Sequence, residues 1–118
     1  MSTYLINHLR IPSGVPNEEG LSYVERVEGT AKTYGGRWLA QGDVQVVEGA
    51  WPGSVVLMEF PSMADAQNWY GSPEYQILPL RVKNAIDLIL VEGVAPDYTV
   101  AGFAQQVRAA KSAASAKR

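Results

Sequence analysis

The chain has no cysteine and a single histidine, His8, among its 118 residues. Without cysteine it has no disulfide, no thiolate metal ligand and no thiol nucleophile, and one histidine cannot supply a two-histidine metal site within one subunit. No metal is expected. No apolar run approaches the roughly 20 residues needed to cross a bilayer. The N-terminus opens on a strand-like segment rather than a charged and then apolar leader, so the expected setting is cytoplasmic, with no membrane partner. Positive charge is scarce too. The formal net charge is −2, the isoelectric point is near 5.3, and the cationic cluster Lys111, Lys117 and Arg118 sits in an Ala/Ser-rich tail, so nucleic acid is not an expected partner. No internal repeat is present. Gly35-Gly36 lacks the following Gly and Lys of a phosphate-binding loop, so no nucleotide cofactor, and no cofactor of any kind, is expected.

What the chain does contain is the mixture of an ordinary globular protein: 47% hydrophobic residues make it too apolar for disorder, and 19% charged residues make it too mixed for a membrane. Its length suits one core. Residues 1–96 read as the folded body and residues 97–118 as a helical extension with a frayed end.

Residues Thr3 to Ile11 are rich in strand-favouring types and stop at Pro12 and Gly14, giving a first strand. After Pro16-Asn17, Glu18 and Glu19 suit a helix N-terminus. Leu21, Val24, Val27, Ala31 and Tyr34 then recur at three- and four-residue steps until Gly35-Gly36 ends the helix. Arg37 to Gln41 and Val44 to Glu48 read as a second strand bent at Gly42-Asp43, and Gly49 to Gly53 as a turn. Ser54 to Phe60 returns antiparallel. Ser62 and Asp65 form a capping-box start for a second helix carrying Trp69 and Tyr70. Gly71-Ser72-Pro73 begins another turn of helix, with Pro79 dividing the segment, and Asp87 to Val94 supplies the last strand.

The order strand, helix, strand, strand, helix, strand, with right-handed crossovers, gives a ferredoxin-like βαββαβ α+β fold with an antiparallel sheet ordered 4-1-3-2. Two helices cover only one face of four strands. The other face would leave Leu39 and Leu57 in water, and a homodimer through that sheet face, closing a dimeric α+β barrel, is the simplest cover. From Asp97 onward Val100, Phe103, Ala104 and Val107 keep helical spacing, so a C-terminal helix lying on a neighbour is expected.

The segments YLINHLRI, AKTYGGRWLAQGDVQVVEGAWP, VVLMEFPSMADAQNWYGSPEYQILPLR and LILVEG resemble the bacterial domain of unknown function 1330 family, from about Tyr4 to Gly93. The resemblance implies membership of the dimeric α+β barrel superfamily, which also holds cofactor-free monooxygenases, muconolactone isomerase-like enzymes, chlorite dismutase and dye-decolourising peroxidases. It implies no one reaction.

Alternation of strand side chains puts Val56, Met58 and Phe60 under the helices, and Val55, Leu57, Glu59, Arg37, Leu39 and Gln41 on the open face, where His8 joins them. In that space His8 is the candidate general acid/base and Glu59 its orienter or an alternative base. Arg37 is the candidate anion holder, with Trp69 and Tyr75 as substrate-binding residues at a cavity mouth. The ligand would be a small compound bearing a carbonyl or carboxylate, and the reaction an isomerisation, cyclisation or cofactor-independent oxygenation. The plainer alternative makes Arg37 and Glu59 an ion pair, Trp69 and Tyr75 core packing, His8 a structural residue and Trp51 the plug of its turn. The protein is then a non-catalytic binding or structural dimer. A haem form would need His8 as axial ligand, and a first-strand position differs from the usual placement.

Overall fold

The computed structural model of the chain describes residues 1–9, 18–76 and 85–116. Arg10 and Ile11 at the expected end of the first strand, Pro79, Arg81 and Lys83 lie outside them.

β3 (Ser54–Phe60) shows how pattern becomes layer. Its residues alternate between buried and half-buried along the whole strand, because successive side chains point to opposite faces of the sheet. β1 (Thr3–Leu9) alternates in the same way until His8, which is buried out of turn. β1 pairs antiparallel with β3 on one side and with β4 (Ala85–Glu92) on the other. β2 (Arg37–Asp43) pairs with the far side of β3, so the sheet runs β2-β3-β1-β4. This is the expected order read from the opposite edge. The crossovers are carried by α1 (Glu18–Lys32), α2 (Met63–Tyr70) and the single turn α3 (Pro73–Gln76), and the fold is a ferredoxin-like α+β arrangement.

The core lies between these helices and one face of the sheet. Leu5, Val56, Met58 and Phe60 meet Val27 and Ala31 of α1, Ala66 and Trp69 of α2, and Tyr75 of α3. Full burial of a side chain such as Phe60 or Leu5 stabilises the fold by about 1.5–3 kcal/mol, so this single layer carries most of the apolar driving force. The helix ends are set by local chemistry. The Ser62 hydroxyl accepts from the Asp65 amide at 3.1 Å and donates to the Asp65 carboxylate at 2.9 Å, starting α2 one residue later. At the exit of α1, Gly35 takes φ 77° and the Gly36 amide donates to Ala31 O at 2.9 Å. A Cβ on Gly36 would stand 2.6 Å from the Phe60 ring, so the glycine lets the helix leave flat against the core.

β2 departs from expectation. The irregularity falls at Leu39, between the pairs Trp38 with Met58 and Ala40 with Leu57. The extra residue turns Gln41 opposite Val56, on the helix side, and sets Ala40 and Gly42 on the open face. Val44 to Glu48 does not continue the strand. β3 begins at Ser54, already opposite Asp43, so no backbone remains for those residues to pair with, and Val47 stands exposed.

The C-terminal α4 (Val100–Ala116) is capped by Thr99, whose hydroxyl accepts from the Gly102 amide at 2.9 Å. It packs on none of the other described elements beyond glancing contact. The chain measures 61 × 34 × 28 Å with a radius of gyration of 18.4 Å, against roughly 13–14 Å for a compact domain of this length. A 17-residue helix is about 25 Å long, which accounts for the long axis. Among the described residues no helix is long and apolar enough to cross a membrane.

Candidate functional site on the open sheet face

Pairing register decides which side chains share the face away from the helices. Tyr4, Ile6 and His8 stand beside Glu59, Leu57 and Val55 of β3, and beside Val91, Ile89 and Asp87 of β4. Arg37 stands beside Glu59 on the far edge. The middle of the face is apolar and open: Ile89 is 53% and Val91 45% exposed. Its two ends are polar and different.

At one end, Arg37 Nε and Nη2 both reach Glu59 Oε1, at 2.7 and 2.6 Å. The hydrogen bond from Arg37 holds the Glu59 carboxyl below its usual range. Partial desolvation acts against this, while Arg37's charge and hydrogen bonds from Ser2 and Tyr4 act with it. The Arg37 side chain remains 68% exposed, so its outer edge is still open to an anion. At the other end, the loop after β2 folds back over His8. The Trp51 ring stacks on the imidazole with centroids 4.0 Å apart, and the indole N–H donates to Ser54 O at 3.2 Å across its own turn. His8 Nε2 lies 2.9 Å from Pro52 O. A carbonyl only accepts, so Nε2 carries the proton. His8 Nδ1 faces Asp87 at 3.8 Å, an exposed carboxylate.

The five residues singled out in the sequence therefore fall into three places. Arg37 and Glu59 meet, as an ion pair. His8 sits on the same face, but Glu59 lies opposite Tyr4, four residues along β1, about 13 Å from His8 at strand rise. Within one chain Glu59 does not orient the imidazole, and Asp87 is the nearer carboxylate. Trp69 and Tyr75 lie across the sheet from all three. Each is only 2% exposed, their rings pack at 4.2 Å, and Trp69 donates to the Thr30 hydroxyl at 3.0 Å. The expectation of a cavity mouth is corrected there: their apolar surface fills the helix-side core, and the indole N–H is satisfied inside it.

Trp51 closes its own turn, as the plainer reading has it, but Tyr4, Trp51 and Asp87 are not among the candidate site residues of the sequence. Tyr4 shares the strand period with His8, a signal that was available. Asp87 needed the β4 register, and Trp51 needed the path of a loop. Near Trp51 a surface groove of about 370 Å³ is lined by Val44, Val46, Val47, Glu48, Ala50 and Val55. A second, of about 350 Å³, lies on the helix side between α2 and β4, at Tyr70, Leu88 and Leu90. Neither contains His8 or Arg37. Among the described residues no group of three or more His, Cys, Asp or Glu side chains is placed to hold a metal ion.

A four-stranded antiparallel sheet, helices on one face and a mainly apolar second face together define a ferredoxin-like α+β protein with an unshielded side. The chain belongs to the family Domain of unknown function (DUF1330), whose model matches residues 2–94; α4 lies outside the match. No curated protein matches the chain. Among solved structures it is similar to a protein of unknown function from Rhodopseudomonas palustris, at 20% identity and TM-score 0.58, covering 80% of this chain and 84% of that one. It is also similar to an uncharacterized NIPSNAP domain protein from Burkholderia xenovorans, at 16% identity and TM-score 0.50, covering 84% of this chain and all of that one. At such identities the likeness shows the fold alone.

Proposed function

We propose that the protein works as a homodimer whose open sheet faces pair and enclose a binding space for a small, largely apolar molecule bearing a carbonyl or carboxylate. The observation that carries this is the apolar band of Ile6, Leu57, Ile89 and Val91, bounded at one end by Arg37 and Glu59 and at the other by His8 and Asp87. An exposed apolar band of this kind is stabilised by removal from water. The polar ends supply orientation: Arg37's exposed edge for an anionic group, and His8 for proton exchange.

Two forms of this reading differ in chemistry. In the first the dimer is a cofactor-independent enzyme of isomerase, cyclase or monooxygenase type, with His8 as general acid/base and Arg37 as anion holder, while Glu59, its carboxyl held below the usual range by Arg37, positions that guanidinium rather than accepting a proton. In the second it binds or assembles without catalysis. The second is favoured by the hydrogen-bonding: Arg37 and Glu59 satisfy each other, and His8 is covered by Trp51 and engaged with Pro52 O. Thermal-shift screening of small carboxylates separates them from a purely structural role. A carboxylate that raises the wild-type midpoint and fails on Arg37→Ala supports the binding space. Equal shifts on both proteins place the ligand elsewhere and overturn it.

A further inference from the structure

We infer that α4 is an arm that docks on the body of a second copy of this chain, an inference that rests on the sheet-face pairing proposed above and extends it beyond residues 2–94. Val100, Phe103, Ala104 and Val107 lie at helical spacing on one face. The three large ones are exposed by 74%, 52% and 37%, and no described element of the same chain covers them. The 61 Å long axis sets this stripe beyond the body, where a neighbour can reach it.

Charge complementarity identifies the neighbour. All twelve Asp and Glu and six of the ten Lys and Arg fall in residues 1–99, while the other four bases fall in residues 100–118 with no acid among them. The body is anionic and the arm cationic. Lys111 continues the apolar stripe by one further turn and Arg108 flanks it. A surface offering apolar and acidic groups side by side exists on this chain, at edge strand β4, where Ile89 and Val91 share the open face with exposed Asp87.

Area points the same way. Four strands about 4.8 Å apart and seven residues long give the open face a footprint of roughly 450 Å². A stable dimer needs about 800 Å² from each partner. An arm about 25 Å long and 10 Å wide that covers part of this same face adds roughly 250 Å² of new surface from each copy, raising the interface to about 700 Å². A membrane surface is the competing occupant of a cationic amphipathic helix, but three large apolar residues followed by alanines make a short stripe for insertion.

The test uses the full chain throughout and reads dimer dissociation constants by sedimentation equilibrium. Phe103→Asp adds an acid to the first turn of α4, where the helix dipole favours it, so the helix itself persists. The arm predicts at least a tenfold weaker dimer for Phe103→Asp and for Arg108→Glu/Lys111→Glu, with the latter difference shrinking at high salt. Dimer constants within twofold of wild type for both, with Ile89→Asp monomeric, overturn the arm and leave the sheet pairing standing. Wild-type strength in Ile89→Asp overturns the pairing and, with it, the arm's docking surface on β4. Co-sedimentation of wild type with phosphatidylserine vesicles, lost in Phe103→Asp while the dimer is unchanged, overturns the arm in favour of a membrane surface.

Discussion

Among the described residues three buried hydroxyl and amide oxygens, Thr3 Oγ1, Asn7 Oδ1 and Ser54 Oγ, have no hydrogen-bond partner. A buried polar group left unpaired costs about 1–3 kcal/mol. Thr3 is fully buried, and Val reproduces its shape without the hydroxyl, so Thr3→Val is expected to stabilise the protein by about 1 kcal/mol. Urea unfolding checks this as a raised midpoint at unchanged slope; a lowered midpoint refutes it. Glu59 gives the pH prediction. Its carboxyl titrates below the ordinary value in the folded state, chiefly because Arg37 donates to it. The unfolded chain therefore binds the proton more readily, and the pair's contribution is present above the ordinary carboxylate pKa and lost as pH falls through the lower, folded value. Glu59→Gln is expected to narrow the stability difference between about pH 7 and about pH 3. An unchanged difference would remove the pair from the stability account.

At the scale of elements, glycine and proline punctuation and the two periodicities made four strands and the helices readable. Gly35-Gly36, Ser62 with Asp65, and Ser72-Pro73 mark real helix ends because each supplies a conformation or a hydrogen bond needed at that position. The faces of β1 and β3 were equally legible, since period two leaves one choice once a strand is buried on one side. The bulge at Leu39, and with it the side taken by Gln41, was not, because it depends on pairing with β3 rather than on any local residue. The same reason hid the separation of about 13 Å between His8 and Glu59 and the approach of Asp87 to His8. Trp69 and Tyr75 carried only a helical spacing, which serves core and pocket alike. Gly36→Ala tests the tightest of these contacts. Its Cβ would press on Phe60, an overpacking worth about 1–3 kcal/mol, so a lower thermal midpoint is expected; an unchanged midpoint would show that Phe60 has room to move.

For the whole molecule, the shape follows from one imbalance. The helices shield a single face of the sheet, Ile89 and Val91 are left half in water on the other, and α4 stands clear of both. The binding space, the polar ends and the arm acquire a common purpose only if a second copy closes that face. Sedimentation equilibrium of wild type and Ile89→Asp at micromolar concentration asks this directly. The expected masses are twice 12.8 kDa for wild type and 12.8 kDa for the variant. A wild-type chain that sediments at 12.8 kDa would contradict it.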